Sequence, residues 1–120
     1  MDKTVYISLL FDFYGELLTE KQKEYVDLYY NDNLSLSEIA ENDGISRQGV
    51  RDILVRAEAT LTETEKKTGL VARHTQLCRQ VEEAEALLDE VAQLNAARFK
   101  NPTLLSLCNR LHDKLQEMKL

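Results

Sequence analysis

Residues 35–61 read SLSEIAENDGISRQGVRDILVRAEATL, and this stretch decides the fold. Ser35 and Glu38 are spaced as a capping box, in which each side chain binds the other residue's backbone N–H at the start of a helix. Gly44 can adopt the left-handed conformation that ends a helix, and Ser46 can cap the helix that follows. The stretch therefore predicts a helix-turn-helix unit.

The second helix of this unit divides into two faces when its residues are spaced at about 100°. One sector is apolar and should pack against the first helix, and it holds Val50, Ile53, Leu54, Ala57 and Leu61. The opposite sector, together with the cap, holds the candidate binding residues Ser46, Arg47, Gln48, Arg51, Asp52 and Val55. In DNA-reading helices Arg pairs with guanine and Gln with adenine, near the helix start. The alternative is an ordinary solvated helix face.

Five residues in or beside the motif bear on the DNA hypothesis or on the packing of the turn. Gly49 costs a helix interior about 1 kcal/mol relative to Ala, and a carboxylate at Asp52 would repel phosphates. An exposed Val55 suits a protein partner at least as well as a thymine methyl group. Ile45 is expected in the core, whereas Asp43 occupies a position where an apolar side chain would seal the turn.

Charge is distributed unevenly between the two halves of the chain. Residues 1–60 carry six Lys and Arg against twelve Asp and Glu, a net charge of −6, whereas residues 61–120 carry nine of each and are neutral. Nucleic-acid affinity comes largely from cations that displace counterions from phosphates. The half with the candidate binding helix is the acidic half, so we expect its nucleic-acid affinity to be weak unless dimerisation doubles it.

Two further helices are predicted ahead of the motif. Residues 4–17 repeat large apolar side chains at four-residue steps, which favours a mostly buried helix over a strand. These side chains are Val5, Leu9 and Phe13. Thr19 should cap the next helix, which continues to Tyr30. The five tyrosines all lie at or before Tyr30, and their helical spacing favours core and edge packing over a base-stacking platform.

The pattern changes after Leu61. Apolar residues step by four and three along two stretches, at Leu77, Val81, Ala84, Leu88 and Val91 and again at Leu104, Cys108, Leu111, Leu115 and Met118. Such heptad stripes are typical of helices that pack along one another. Pro102 separates them, and Thr103 is expected to cap the last helix. The sequence predicts residues 1–70 as a helix-turn-helix domain, and residues 71–120 as a helical hairpin that self-associates through residues 73–118.

Composition supports an all-α protein and offers little catalytic chemistry. The 120 residues include one Pro and four Gly, with 43% hydrophobic and 30% charged residues. The N-terminal residues lack signal-peptide features, and no apolar run approaches the roughly 18 residues of a membrane span. Cys78, Cys108, His74 and His112 lack metal-site spacing. We therefore expect a cytoplasmic protein with no cofactor, no metal and no enzymatic activity.

The run LTEKQKEYVDLYYNDNLSLSEIAE, followed by GISRQGVRD and Arg56, resembles the YlxM/p13-like family of small bacterial proteins. The resemblance covers about residues 3–70, and the central motif is similar to region 4 of bacterial sigma factors. It implies a DNA-binding type of helix with Arg47, Gln48 and Arg51 on its reading face. It also implies a regulatory protein encoded beside signal recognition particle genes, with a role in that targeting pathway.

Two functions therefore remain open. In the first, the protein is a regulator that binds protein or ribonucleoprotein components of the signal recognition particle; the acidic charge and Asp52 favour this function. In the second, it is a transcriptional regulator that reads DNA with the helix starting at Ser46, as Arg47 and Gln48 suggest.

Overall fold

The computed structural model of the chain describes residues 2–119, and within this range its regular elements are all helical. In chain order these are α1 (Lys3–Tyr14), α2 (Glu20–Val26), α3 (Leu36–Asp43), α4 (Arg47–Thr68), α5 (Leu70–Leu94) and α6 (Pro102–Met118). A 3-10 turn, Gly15–Leu17, follows α1, and π-helical turns extend α2 over Asp27–Asn31 and α5 over Asn95–Phe99. The all-α prediction is confirmed.

The chain forms two compact units, one ending at Val71 and the other beginning at Ala72. The first unit contains α1 to α4 and the start of α5, and the second contains the rest of α5 together with α6. None of the helices in residues 2–119 has the length and apolar character needed to cross a bilayer.

The core of the first unit forms where α1, α2 and α3 pack around α4. Its largest fully buried side chains are Leu10, Tyr25, Val26, Ile39, Val50 and Leu61. Burying a side chain of this size stabilises the fold by about 1.5–3 kcal/mol. Ala40 is also buried, and its small side chain lets α3 approach α4 closely.

The starts of α2, α3 and α4 and the end of α3 follow the capping residues read from the sequence. Thr19 with Gln22, and Ser35 with Glu38, each form the reciprocal capping box at the starts of α2 and α3. Gly44 ends α3 in the left-handed region, with φ 66°. The turn between the two helices of the motif is therefore built as the sequence indicated.

The buried side of α1 differs from the prediction. Val5 and Phe13 are exposed, whereas Ile7, Leu10 and Tyr14 are buried. The buried residues step by three and four, the spacing that keeps one side of a helix inward. The large apolar residues that repeat at four-residue steps lie on a neighbouring side of the helix.

Ile45 was expected in the core, and this prediction is wrong because 41% of the residue is exposed. Its backbone N–H donates to the carbonyl of Ala40 at 3.1 Å, which closes a Schellman-type turn after Gly44. The constraint on Ile45 is thus on its backbone, and its side chain stays at the surface. Ile53, also assigned to the core, is only half-buried.

Asp43 has a role that the sequence did not reveal. Its carboxylate accepts a hydrogen bond from the Tyr25 hydroxyl at 2.5 Å and one from Lys21 Nζ at 3.0 Å. The Tyr25 bond and then the Lys21 bond lower the pKa of Asp43 below its usual 3.8. Burial, with the bond to Asp43, raises the pKa of Tyr25 to about 12. A polar contact between α2 and α3 thus occupies the position where an apolar seal was expected.

The second unit is a helical hairpin whose turn is closed by two asparagines. Asn95 is buried, and its side chain accepts the backbone N–H of Asn101 and donates to the Asn101 carbonyl, both at 3.0 Å. Glu85 on α5 binds Gln116 and Lys119 at the far end of α6, so α6 runs back along α5. Asn101 caps α6 by accepting the N–H groups of Thr103 and Leu104. The cap was predicted two residues too late, at Thr103.

The heptad stripes are only partly buried in this hairpin. Val81, Leu88 and Cys108 face inward. Four of the stripe residues are instead exposed, namely Leu77, Val91, Leu111 and Met118. The inward side of α5 runs through Val81, Leu88 and Asn95, seven residues apart, and places polar Asn95 at its end. The buried residues of α5 thus keep the seven-residue repeat of the sequence, whereas these four stripe residues remain at the surface of the chain.

Candidate partner-binding face

The candidate face begins where Ser46 caps α4. The Ser46 Oγ accepts the backbone N–H of Gly49 at 3.0 Å, and Ser46 itself is extended. This places Arg47 and Gln48 in the first turn. A Cβ added at Gly49 would lie 3.3 Å from Ser46 Oγ and 3.6 Å from Ile45 Cδ1. Gly49 therefore leaves room for the cap, which explains a residue that is unfavourable by helix propensity alone.

The six predicted site residues lie together on the surface at the start of α4. Ser46, Arg47, Gln48, Arg51, Asp52 and Val55 are all exposed. Within residues 2–119 neither Arg47 nor Arg51 forms an ion pair, so both guanidinium groups are available to a partner. Val55 is 51% exposed, one turn beyond Arg51. The face is therefore part cationic and part apolar.

Gln48 and Asp52 are paired across one turn of α4. The Gln48 Nε2 donates to Asp52 Oδ1 at 2.9 Å. An adenine-reading Gln must offer its amide group to the base edge, so the bond to Asp52 competes with such contact. The pair also adds a negative charge to the face, which opposes a close phosphate.

A cavity of about 160 Å3 opens beside this face. Arg51 and Val55 border it, and Tyr29, Leu36 and Leu54 supply apolar wall. The sequence reasoning assigned the tyrosines to core and edge packing and did not place a cavity among them. The indication in the sequence was Val55, which was expected to be exposed and to suit a protein partner at least as well as a thymine methyl group.

Glu58 lies in the wall of the cavity with its charge compensated. It accepts a hydrogen bond from the Tyr30 hydroxyl and pairs with Lys3 Nζ at 3.4 Å. Burial and the bond to Glu58 raise the pKa of Tyr30. These contacts join three elements at one side of the cavity, namely α1, α4 and the π-helical turn that follows α2.

The remaining titratable residues do not assemble into a metal site. No group of three or more His, Cys, Asp or Glu with metal-binding geometry occurs in residues 2–119. His74 Nε2 lies 3.5 Å from Cys78 Sγ, one turn further along α5. Cys78 and Cys108 are free thiols.

Residues 1–99 match the UPF0122 family, described as "Putative helix-turn-helix protein, YlxM / p13 like". A UPF0122 protein of Symbiobacterium thermophilum is 50% identical over 92 residues, which cover 77% of this chain and 85% of the relative. One from Thermoanaerobacter sp. strain X514 is 37% identical over 119 residues, 99% of this chain and 98% of the relative. One from Desulforamulus reducens is 51% identical over 83 residues, 69% of this chain and 71% of the relative.

The family match extends beyond the helix-turn-helix unit. It continues to residue 99, and the Thermoanaerobacter alignment covers nearly the whole chain. The likeness therefore includes much of the hairpin, whereas the sequence motifs alone covered only about residues 3–70. The matched description is that of a helix-turn-helix protein and not of an enzyme.

Proposed function

This chain belongs to the UPF0122 family of YlxM / p13-like helix-turn-helix proteins, and from that premise we propose that it is a cytoplasmic regulator that binds a macromolecular partner with the exposed face of α4. The partner is a protein or ribonucleoprotein component of the signal recognition particle pathway, as the family resemblance implies. The contacting residues are Ser46, Arg47, Gln48, Arg51, Asp52 and Val55.

The observation that carries this proposal is the mixed chemistry of the face. Two arginines that form no ion pair within residues 2–119 lie beside a Gln48–Asp52 pair and a half-exposed Val55. Protein interfaces combine apolar anchors with Arg and a polar rim, whereas a DNA-binding surface is strongly basic. The net charge of −6 over residues 1–60, from six cations and twelve anions, favours the first type of partner.

Co-purification from native lysate tests the proposal. We expect the tagged full-length chain to retain the signal recognition particle GTPase or its RNA, and Arg51→Ala to reduce that retention. Nuclease treatment separates a protein contact from one made through RNA. Arg79→Ala, which removes an exposed arginine from the hairpin unit, is the matched control. Retention of neither component, or equal loss with the control variant, would refute the proposal.

DNA binding is the second candidate function, and the position of the cap favours it. Ser46 sets Arg47 and Gln48 in the first turn of α4, the part of a recognition helix that reaches base edges. A selection from random duplexes, performed at physiological salt, checks this function. A shared sequence motif among the selected duplexes would support it.

We also propose that the chain self-associates through residues 73–118. The exposed apolar residues of the hairpin support this role; they are Leu77, Leu87, Val91, Leu94, Phe99, Leu105, Leu107, Leu111 and Met118. The buried apolar residues of the hairpin are Val81 and Leu88 on α5 and Cys108 on α6. Helical spacing puts most of the exposed residues to one side of these buried residues on both helices. The bonds of Glu85 to Gln116 and Lys119 lie to the other side. A dimer would bring two α4 faces into one complex and raise the avidity for a repeated partner.

A further inference from the structure

The cavity beside α4 has the size and lining of a side-chain pocket. It is an open cleft of about 160 Å3, and a volume of roughly 150 Å3 is enough to admit a benzene-sized group. Leu36, Leu54 and Val55 supply the apolar part of the wall, and Lys3, Arg51 and Glu58 supply its charged part. Tyr29 and Tyr30 pack edge to face, with ring centroids 5.0 Å apart, and close the side towards α1.

The walls of this cavity are already held in place by bonds within the first unit. Tyr30 donates its hydroxyl hydrogen to Glu58, and Lys3 pairs with the same carboxylate. Because these contacts compensate the negative charge of Glu58, a partner need not supply a cation to it. A pocket whose walls are fixed before binding costs little conformational entropy to fill.

The charges at the rim favour an anionic neighbour. Arg51 borders the cavity, Arg47 lies one turn before it, and neither is ion-paired within the described part of the chain. An unpaired guanidinium gains most from a carboxylate or phosphate, which it can bind through two parallel hydrogen bonds. The same rim carries Val55, which extends the apolar surface out of the cavity.

We propose that this cavity docks a segment of a partner protein, which inserts one large aliphatic or aromatic side chain and pairs a carboxylate with Arg51. This inference rests on the proposed function, because it states the chemistry of the partner segment that the α4 face binds. A single peptide carboxylate fits better than a nucleic-acid backbone, since a run of phosphates along this surface would approach Asp52.

Peptide selection on the immobilised full-length chain tests the inference. From a library of random dodecapeptides we expect enrichment of sequences that combine a large apolar residue with Asp or Glu within one helical turn. Fluorescence anisotropy of one enriched, labelled peptide then gives its affinity for the wild-type chain and for variants.

Two variants with matched controls identify the binding site of that peptide. We expect Val55→Ser and Arg51→Gln each to weaken binding about tenfold. Val5→Ser is the control for Val55→Ser, because Val5 is 54% exposed and does not line the cavity. Arg79→Gln in the hairpin unit is the control for Arg51→Gln. Both controls should retain wild-type affinity, and circular dichroism should show all four variants folded.

The outcomes also separate this inference from the proposed function. Enriched peptides without the apolar–acidic pattern, or equal binding by Val55→Ser and wild type, would overturn the pocket assignment. If signal recognition particle components still bind in an Arg51-dependent manner, the proposed function remains while the pocket is excluded. Displacement of the selected peptide by random DNA or RNA duplexes, with no effect of Val55→Ser, would assign the face to nucleic acid.

Discussion

The hydroxyl of Tyr14 donates a hydrogen bond of 2.6 Å to Oε1 of Glu65, a residue 51 positions away in the sequence. The same carboxylate oxygen accepts the backbone N–H of Val71 at 3.0 Å. Glu65 is buried, and a buried carboxylate is tolerated only where hydrogen bonds compensate its lost hydration. This contact therefore joins the end of α1 to the last turns of α4 and the first turn of α5.

Tyr14→Phe should reduce the free energy of unfolding by about 1–3 kcal/mol, because it removes a donor from a buried carboxylate. Urea unfolding followed by circular dichroism measures the change. Tyr6→Phe is the matched control, since Tyr6 is half-buried and its hydroxyl has no hydrogen bond in residues 2–119. We expect the control to change stability by less than about 0.5 kcal/mol. Equal effects of the two substitutions would contradict a structural role for the Tyr14–Glu65 bond.

The contact between Tyr25 and Asp43 predicts a dependence of stability on pH. The pKa of Asp43 is lower in the folded protein than its usual 3.8, so folding favours the ionised carboxylate. The resulting stabilisation is fully present above the unfolded pKa and is lost as pH falls through the folded pKa. Asp43→Asn should therefore melt at a lower temperature than wild type at pH 7.

The difference between Asp43→Asn and wild type should shrink as the pH of the thermal melts falls below 3.8, the usual pKa of the carboxyl group. Asp12→Asn serves as the control, because Asp12 is exposed and forms no ion pair or hydrogen bond within the described residues. A melting difference that stays constant from pH 7 to the acid range would show that the Asp43 charge does not contribute.

Local sequence chemistry predicted the helix-turn-helix unit well. Ser35, Gly44 and Ser46 act through their own backbone neighbours, and such short-range effects can be read directly from the sequence. The periodicity of α4 was equally informative, because Val50, Leu54, Ala57 and Leu61 all lie on its buried side.

Features that depend on residues distant in sequence could not be predicted in this way. Asp43 was interpreted as a packing defect because its donor, Tyr25, lies 18 residues earlier on another helix. The exposed position of Ile45 follows from the geometry of the turn and not from its apolar character. The cavity beside Val55 requires four separate segments to meet, so no single stretch of sequence indicates it.

The hairpin provides a test of self-association. Leu87→Asp or Leu111→Asp places a charge on an exposed apolar residue of the second unit, and burying that charge between two copies would be costly. We expect light scattering to show more than one protomer for wild type and a shift towards monomer for either variant. Asn109→Asp adds the same charge at an exposed position on the opposite flank of α6 and should leave the mass unchanged. A monomeric wild-type protein at high concentration would refute the proposal.

Salt dependence distinguishes the two candidate partners of α4. If Arg47 and Arg51 contact phosphates, binding should weaken steeply as salt rises, because each contact releases counterions. Arg47→Ala and Arg51→Ala would then each cost about 1–3 kcal/mol of binding free energy. If the face binds a protein, the salt dependence should be shallow, and Val55→Ser should cost as much as either arginine substitution.

We expect the second pattern for purified signal recognition particle components, measured by calorimetry at low and physiological salt. Val5→Ser provides the control for loss of an exposed valine, since Val5 and Val55 are 54% and 51% exposed. The Gln48–Asp52 pair adds a further distinction. Asp52→Asn removes a charge that repels anions, so it should strengthen binding to a run of DNA phosphates more than binding to a protein partner with a single carboxylate. A tight, sequence-selective DNA complex at physiological salt, unaffected by Val55→Ser and strengthened by Asp52→Asn, would make DNA the principal partner.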